Sequence, residues 1–327
     1  MIKVGIIGTS IIAEEFIKGA ILVKDFQLNA IYSRSQEKAV AFAANYGVAN
    51  VFNDLNVMAK SSTIDAVYIA SPNSFHAKQS ILFLNNKKHV LCEKPIASNV
   101  KELKSMIVAA KNNNMLLMEA MITTTLPNFK VIEDNLYKLG KIRRYFGNFC
   151  KYSSRYDSYK MGKEVNTFKA EFSNGSIMDL GVYCIHPLVK LFGMPDAILA
   201  TSLKLPSGVD GQGTLVLSYK EMEGVIMHSK IADSFASSEI QGERGTMIID
   251  RIGAPEKVQI IYRDGTIEDL TVTQREEMMY YEANEFINLI KNNKIESELN
   301  SYGESLKTIE IMENARIKTG IMYPADN

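Results

Sequence analysis

Net charge, paired cysteines, long apolar runs and histidine are all scarce in this sequence. Lysine plus arginine and aspartate plus glutamate both number 37, so the formal net charge is zero. No block of one sign interrupts that balance, which removes the electrostatic footprint of a nucleic-acid or anionic-membrane binder. The three cysteines, Cys92, Cys150 and Cys184, form no CxxC pair and lie in apolar contexts. That pattern suits buried free thiols in a reducing compartment, with the cytoplasm as the default. No uninterrupted apolar stretch approaches the ~18 residues of a membrane-spanning helix. Met1 leads directly into a strand-like Ile2–Ile7 rather than into the apolar segment and cleavage site of a signal peptide. The four histidines, His76, His89, His186 and His228, lack paired ligand spacing, so no metal site is legible. Neither a Ser-His-Asp nor a Cys-His arrangement emerges, and repeats and low-complexity tracts are absent. What remains is a chain of 327 residues, enough for about two domains engaged with a small molecule.

Its first half alternates strand and helix, the signature of a doubly wound parallel sheet. Ile2–Ile7 runs into Gly8-Thr9-Ser10-Ile11-Ile12-Ala13 and a helical pattern, the order of a dinucleotide-binding turn. Gly8 takes the first glycine position and Ala13 the helix-packing position. Ser10 replaces the second glycine, where its hydroxyl is placed to donate to a phosphate at the helix N-terminus. The second strand, Leu28–Tyr32, ends in Ser33-Arg34-Ser35 with no acidic residue. A carboxylate there would accept from the ribose hydroxyl of NAD, whereas this cluster offers donors and positive charge, so NADP is expected over NAD. Ser35 alone suffices to cap the following helix. A buried strand, Ile64–Ala70, delivers Ser71, Asn73 and His76 to the ligand edge.

The chain is organised around Val90-Leu91-Cys92-Glu93-Lys94-Pro95. An apolar strand presents a carboxylate and an ammonium just where Pro95 stops the pairing, beyond the carboxyl end where ligands of open α/β sheets lie. Pro95 also biases Lys94 to extended backbone and permits a cis peptide. Ser98 or Asn99 caps the next helix, and Met115–Met118 forms a further strand ending at Glu119-Ala120.

Together, the Gly8–Ala13 turn, Ser71-Pro72-Asn73 with His76, Glu93-Lys94-Pro95 and Leu117-Met118-Glu119-Ala120-Met121 carry a resemblance. The chain resembles the Gfo/Idh/MocA oxidoreductases, and within them the dihydrodiol dehydrogenase and glucose-fructose oxidoreductase branch. The resemblance implies a Rossmann domain, residues 1–121. A second α+β domain, 122–327, would carry a large, mainly antiparallel open sheet, with the last helix packing back on the first domain. It also implies an NAD(P) cofactor held by Gly8, Thr9, Ser10, Ile11, Ile12, Ser33, Arg34, Ser71, Asn73, His76, Glu93 and Lys94, and a homodimer or homotetramer through the second-domain sheet.

Close-set strands from Ile142 to Val272 support that second sheet. Asn174–Pro187 resembles the family's second active-site segment, with Tyr183 at the acid-base position and Asp179 before it. Read as one helix, Asp179, Tyr183 and His186 share a face at i, i+4 and i+7. Either Tyr183 or His186 then handles the proton, with His186 also lining the substrate pocket. Arg155, Tyr156, Asp157, Lys160 and Asn166 form a polar stretch placed to choose the substrate. The reading is an oxidoreductase interconverting a secondary alcohol and a carbonyl on a sugar-like, polyol or dihydrodiol substrate, with Lys94, Tyr183 and Asp179 as catalytic residues. A non-catalytic NAD(P)-binding regulator is the rival; a Rossmann methyltransferase is disfavoured by the Ser-Arg-Ser strand end.

Overall fold

The computed structural model describes residues 1–327. In chain order its elements begin with β1 (Ile2–Ile7), α1 (Ile11–Ala20), β2 (Phe26–Tyr32), α2 (Gln36–Ala44), β3 (Asn50–Phe52), α3 (Leu55–Lys60), β4 (Ala66–Ile69), α4 (His76–Asn85), β5 (His89–Glu93), α5 (Val100–Asn113) and β6 (Leu117–Ala120). Next come α6 (Pro127–Asn135), β7 (Ile142–Cys150), α7 (Tyr156–Lys160), α8 (Val182–Phe192), β8 (Ala197–Lys204), β9 (Asp210–Ser218), β10 (Glu223–Ser229) and β11 (Ser238–Gly242). The chain closes with β12 (Gly245–Ile249), β13 (Val258–Tyr262), β14 (Ile267–Asp269), α9 (Met279–Lys291) and α10 (Tyr302–Lys318).

Two compact units result. The first comprises Met1–Ile122 with Arg275–Tyr302, the second Thr123–Gln274 with Gly303–Asn327. The segment 275–302, placed in the second domain on sequence, therefore groups with the first. The helix that returns to the first unit is α9. Its apolar stripe, Ala283, Phe286, Ile287 and Ile290, joins Phe16, Ile17 and Ala20 of α1 in one core. Gly19 permits this, since a Cβ there would lie 2.5 Å from the Tyr280 nitrogen.

The first unit holds a six-stranded parallel sheet in the order β3-β2-β1-β4-β5-β6, which reverses direction between β1 and β4. Loops after β1, β4 and β5 thus meet at one switch point, where such sheets bind ligands. Asn99, not Ser98, caps α5, accepting from the Glu102 N–H at 2.9 Å.

The second unit carries an eight-stranded sheet, β14-β13-β12-β11-β7-β10-β9-β8. It is antiparallel except at its centre, where β7 and β10 pair in parallel. Its inner face is apolar and sealed by Leu215, Leu217, Ile226, Ile240, Met247 and Ile260. Strands β3 and β8 carry no sequence signal. The first is three residues long, and β8 is an edge strand exposed along most of its length, so neither shows apolar alternation.

Candidate active site

In the first unit the turn after β1 is built for close approach. Gly8 has φ +114°, and a Cβ there would sit 2.8 Å from the Ala70 carbonyl oxygen at the end of β4. Ser10 is the N-cap of α1, yet its side chain makes no capping bond. The first amides of α1 thus present N–H donors and the positive end of the helix dipole, while Ile11 stays exposed beside them. This cradle fits a dinucleotide pyrophosphate. Thr9 and Ile12 are half-buried in the same turn. At the end of β2, Ser35 caps α2 through the Lys38 N–H at 3.3 Å. Ser33 is half-buried, and Arg34 is exposed without an ion pair.

After β4, the Ser71 hydroxyl donates to Gln79 Oε1 at 2.7 Å, and Asn73 opens a short 3-10 turn. His76, expected to touch the cofactor, is fully enclosed. Its ring nitrogens face the Pro95 carbonyl at 2.9 Å and the Ser71 carbonyl at 2.8 Å. Two acceptors favour the imidazolium, but full burial outweighs them and lowers the pKa, with the Lys94 charge acting the same way. His76 therefore acts on the ligand edge through the two backbone segments it joins.

Lys94 stands half-buried beyond β5, and the Lys94–Pro95 peptide is cis. Behind it the chain hides carboxyls on both sheet faces. Glu93 accepts a hydrogen bond from the Tyr68 hydroxyl, and Phe16 of α1 stacks on the Tyr68 ring at 3.7 Å. On the other face Glu119 accepts from the Ile96 N–H at 3.1 Å. Glu282 of α9 is fully buried, and neither carboxyl oxygen has a partner. Burial, then the charge of Glu93, pushes its pKa well above the carboxylate range, which favours the protonated carboxyl.

In the second unit Ile177–Gly181 is a π-helical turn that runs into α8. The wider turn takes Asp179 out of the regular i, i+4 register with Tyr183, while Tyr183 and His186 both fall in the regular part of α8. Asp179 and Tyr183 are partly exposed, whereas His186 is fully buried, its Nδ1 facing the Thr308 hydroxyl of α10 at 3.4 Å. His186 is a core residue rather than pocket lining. Tyr183 packs on Phe149 with ring centroids 5.5 Å apart, and Gly253 lets its loop close over both rings. Pro187 falls inside α8 and has no N–H to offer the Tyr183 carbonyl.

A buried cluster fixes the start of this turn. Asp210 accepts from the Ile177 N–H at 2.7 Å, and Ser176 Oγ lies 2.9 Å from His228 Nδ1. Gly175, at φ +135°, leaves the space Asp210 occupies. Burial pushes Asp210 up to about 6 and His228 down to about 3, which leaves a carboxylate and a neutral ring at neutral pH. Serine, histidine and aspartate do meet here, but not as a nucleophilic triad. Ser176 and Asp210 both face Nδ1, the latter at 3.7 Å, and nothing in the set reaches solvent.

Asp179 is ion-paired with Lys230, a residue missed on sequence. The only signal was a charge closing an apolar strand, the same pattern that marked Lys94. Among the residues expected to choose the substrate, Arg155 is exposed and Tyr156 half-buried. Asp157 is engaged locally, accepting from the Tyr152 hydroxyl at 2.7 Å and from Lys160 at 2.8 Å. Asn166 lends its carbonyl to the Asn174 side chain at 2.8 Å. No group of three or more His, Cys, Asp or Glu is placed to hold a metal ion. No helix is long and apolar enough to cross a membrane.

The chain is similar to known proteins along its whole length. Residues 2–121 match the oxidoreductase family model with an NAD-binding Rossmann fold, and residues 137–248 match the GFO/IDH/MocA C-terminal domain. The chain is 54% identical over 326 residues to scyllo-inositol 2-dehydrogenase (NADP(+)) IolU of Bacillus subtilis, covering 100% of this chain and 99% of that one. It is 25% identical to a trans-1,2-dihydrobenzene-1,2-diol dehydrogenase of Xenopus tropicalis, over 92% of each. Among solved structures, a mutant of KijD10, a 3-ketoreductase from Actinomadura kijaniata in complex with TDP-benzene and NADP, superposes with a TM-score of 0.87. That match has 21% identity and covers 97% of this chain and 98% of that one.

Proposed function

We propose, from the premise that this chain belongs to the Gfo/Idh/MocA family of oxidoreductases, that Lys94 and Tyr183 serve one oxygen of a cyclic polyol. The chain is an NADP-dependent oxidoreductase that interconverts a secondary alcohol and a carbonyl. The substrates in the relatives' names, scyllo-inositol and a trans-dihydrodiol, are both rings with adjacent secondary hydroxyls, and this is the class carried over. The observation that supports it most is Lys94, half-buried at the carboxyl end of β5 beside the switch point.

NADP, when bound, supplies the hydride acceptor. Gly8, Thr9, Ser10, Ile11 and Ile12 hold its pyrophosphate at the start of α1, and Ser33 with Arg34 receives the 2′-phosphate. Ser71 and Asn73 border the same edge, and Glu93 sets the charge behind Lys94. The Lys94 ammonium donates to the reacting oxygen and stabilises the alkoxide character that grows on it during oxidation. The Tyr183 hydroxyl takes or returns the proton. Asp179 orients the substrate through a neighbouring hydroxyl.

A homodimer or homotetramer through the outer face of the second sheet belongs to the same reading, as does a cytoplasmic location suited to three free thiols. Leu199, Leu203, Met227 and Ile261 lie exposed on that outer face.

The test is reduced-nicotinamide formation by purified protein given scyllo-inositol, other inositols or cyclic diols with NADP or NAD. Turnover faster with NADP is expected. Tight NADP binding with no turnover of any cyclic polyol in either direction would instead favour the regulator.

A further inference from the structure

Lys230 has no role in the chemistry above, yet its placement is constrained on every side. It follows β10, its N–H donates to the Gly211 carbonyl at 2.8 Å, and its own carbonyl accepts from the Ser153 N–H at 2.9 Å. Only 4% of its side chain is exposed. An ammonium so deeply buried is unfavourable unless a charge answers it. Asp179 supplies that charge, and the ammonium also lies over the Phe168 ring, 5.8 Å from its centroid. Phe168 is itself fully buried and packs on Tyr156 at 5.6 Å and Tyr159 at 5.0 Å. One hidden cation thus ties the carboxylate of the π turn to the aromatic segment that carries Tyr156.

We propose that Lys230 is a specificity-determining positioning residue. It holds Asp179 and the Phe168 segment so that the site selects a ring bearing a second hydroxyl next to the reacting one. The proposal rests on the polyol dehydrogenase reading and names what in this chain enforces it. The exposures set the division of labour. Asp179 keeps 37% of its side chain open while Lys230 is closed off, so substrate meets the carboxylate and Lys230 acts through it. A carboxylate held in one orientation accepts a charge-assisted hydrogen bond from a vicinal hydroxyl and is left unanswered by a ring that lacks one.

The test compares trans-1,2-cyclohexanediol with cyclohexanol, both with NADP, in wild type and in Lys230→Met. The substitution keeps the length of the stem and removes the charge. The diol-to-alcohol ratio of kcat/KM is expected to fall about 10- to 100-fold, mainly through the KM of the diol, with NADP affinity unchanged. Lys230→Arg, which keeps the charge, should retain most of the ratio. If Lys230→Met does not fold, Lys230→Gln, which keeps a donor, carries the same comparison. Equal losses on both alcohols, or an unchanged ratio, would reduce Lys230 to a packing residue and overturn the proposal alone. A wild type inactive on both alcohols and on inositols refutes the dehydrogenase reading and this proposal with it.

Discussion

The two units place opposite charges at their functional edges and back each one differently. After β5 the half-buried Lys94 has carboxyls buried behind it: Glu93, which accepts a hydrogen bond from the Tyr68 hydroxyl, and Glu282, whose carboxyl oxygens have no hydrogen-bond partner. At the π turn a partly exposed carboxylate, Asp179, has an ammonium buried behind it, and the two are paired. Burial and the charge of Glu93 raise the pKa of Glu282, so the charge behind Lys94 depends on the protonation of Glu282. The charge behind Asp179 is settled by the ion pair. One edge is therefore adjustable by protonation, and the other is held by an ion pair.

Removing the exposed charge of the adjustable edge should have the largest effect. Lys94→Ala is expected to lower kcat by about 10² to 10³-fold, the scale of losing one preorganised donor, with NADP affinity by fluorescence titration nearly unchanged. Tyr183→Phe keeps the ring on Phe149 and deletes only the hydroxyl. It should lose about 10- to 10²-fold, less than a full general acid-base contribution because water replaces part of it. If both act on one oxygen, the double variant is no slower than Lys94→Ala. Additive losses would separate the two residues, and wild-type turnover in Tyr183→Phe would return the tyrosine to the core.

Arg34 sharpens the contrast as a third charge, exposed at the end of β2 with nothing buried behind it and no ion pair. Such a cation is held in place only by what binds it. A charge-assisted contact contributes about 1.5–3 kcal/mol, so Arg34→Ala should weaken NADP by roughly 10- to 100-fold and leave NAD almost untouched. Equal weakening of both cofactors in paired titrations would remove the 2′-phosphate from Arg34.

How much of this was legible depends on the range of the interactions. Gly8, the β1 strand and Glu93-Lys94-Pro95 are local patterns, and the order of strands and helices carried the parallel sheet. The partner of Asp179 was not legible, because Lys230 is 51 residues away and only β10 pairing on β7 brings it back. Nor does any local pattern announce the π turn that takes Asp179 out of regular register with Tyr183, or the packing beside Thr308 of α10 that encloses His186. Glu282 hides for a related reason. On α9 it looks like one more polar residue, and only the packing of that helix on α1 shows that it is enclosed.

Glu282 also gives the smallest and most direct test of the adjustable edge. Its folded-state pKa lies above its unfolded value, so above about pH 4.5 the folded chain keeps a proton that the unfolded chain releases. The stability this group contributes is full below the unfolded pKa and is lost as pH rises toward the folded one, at a slope of about 1.4 kcal/mol per pH unit for one proton. Glu282→Gln supplies a neutral side chain of the same shape with no proton to lose. The difference in stability between variant and wild type, from urea unfolding, should therefore be small near about pH 5 and grow in favour of the variant toward about pH 8. Parallel curves across that range would mean that Glu282 is ionised in the folded chain. The carboxyls behind Lys94 would then be a fixed pair of negative charges, and the contrast with the Asp179 edge would fail.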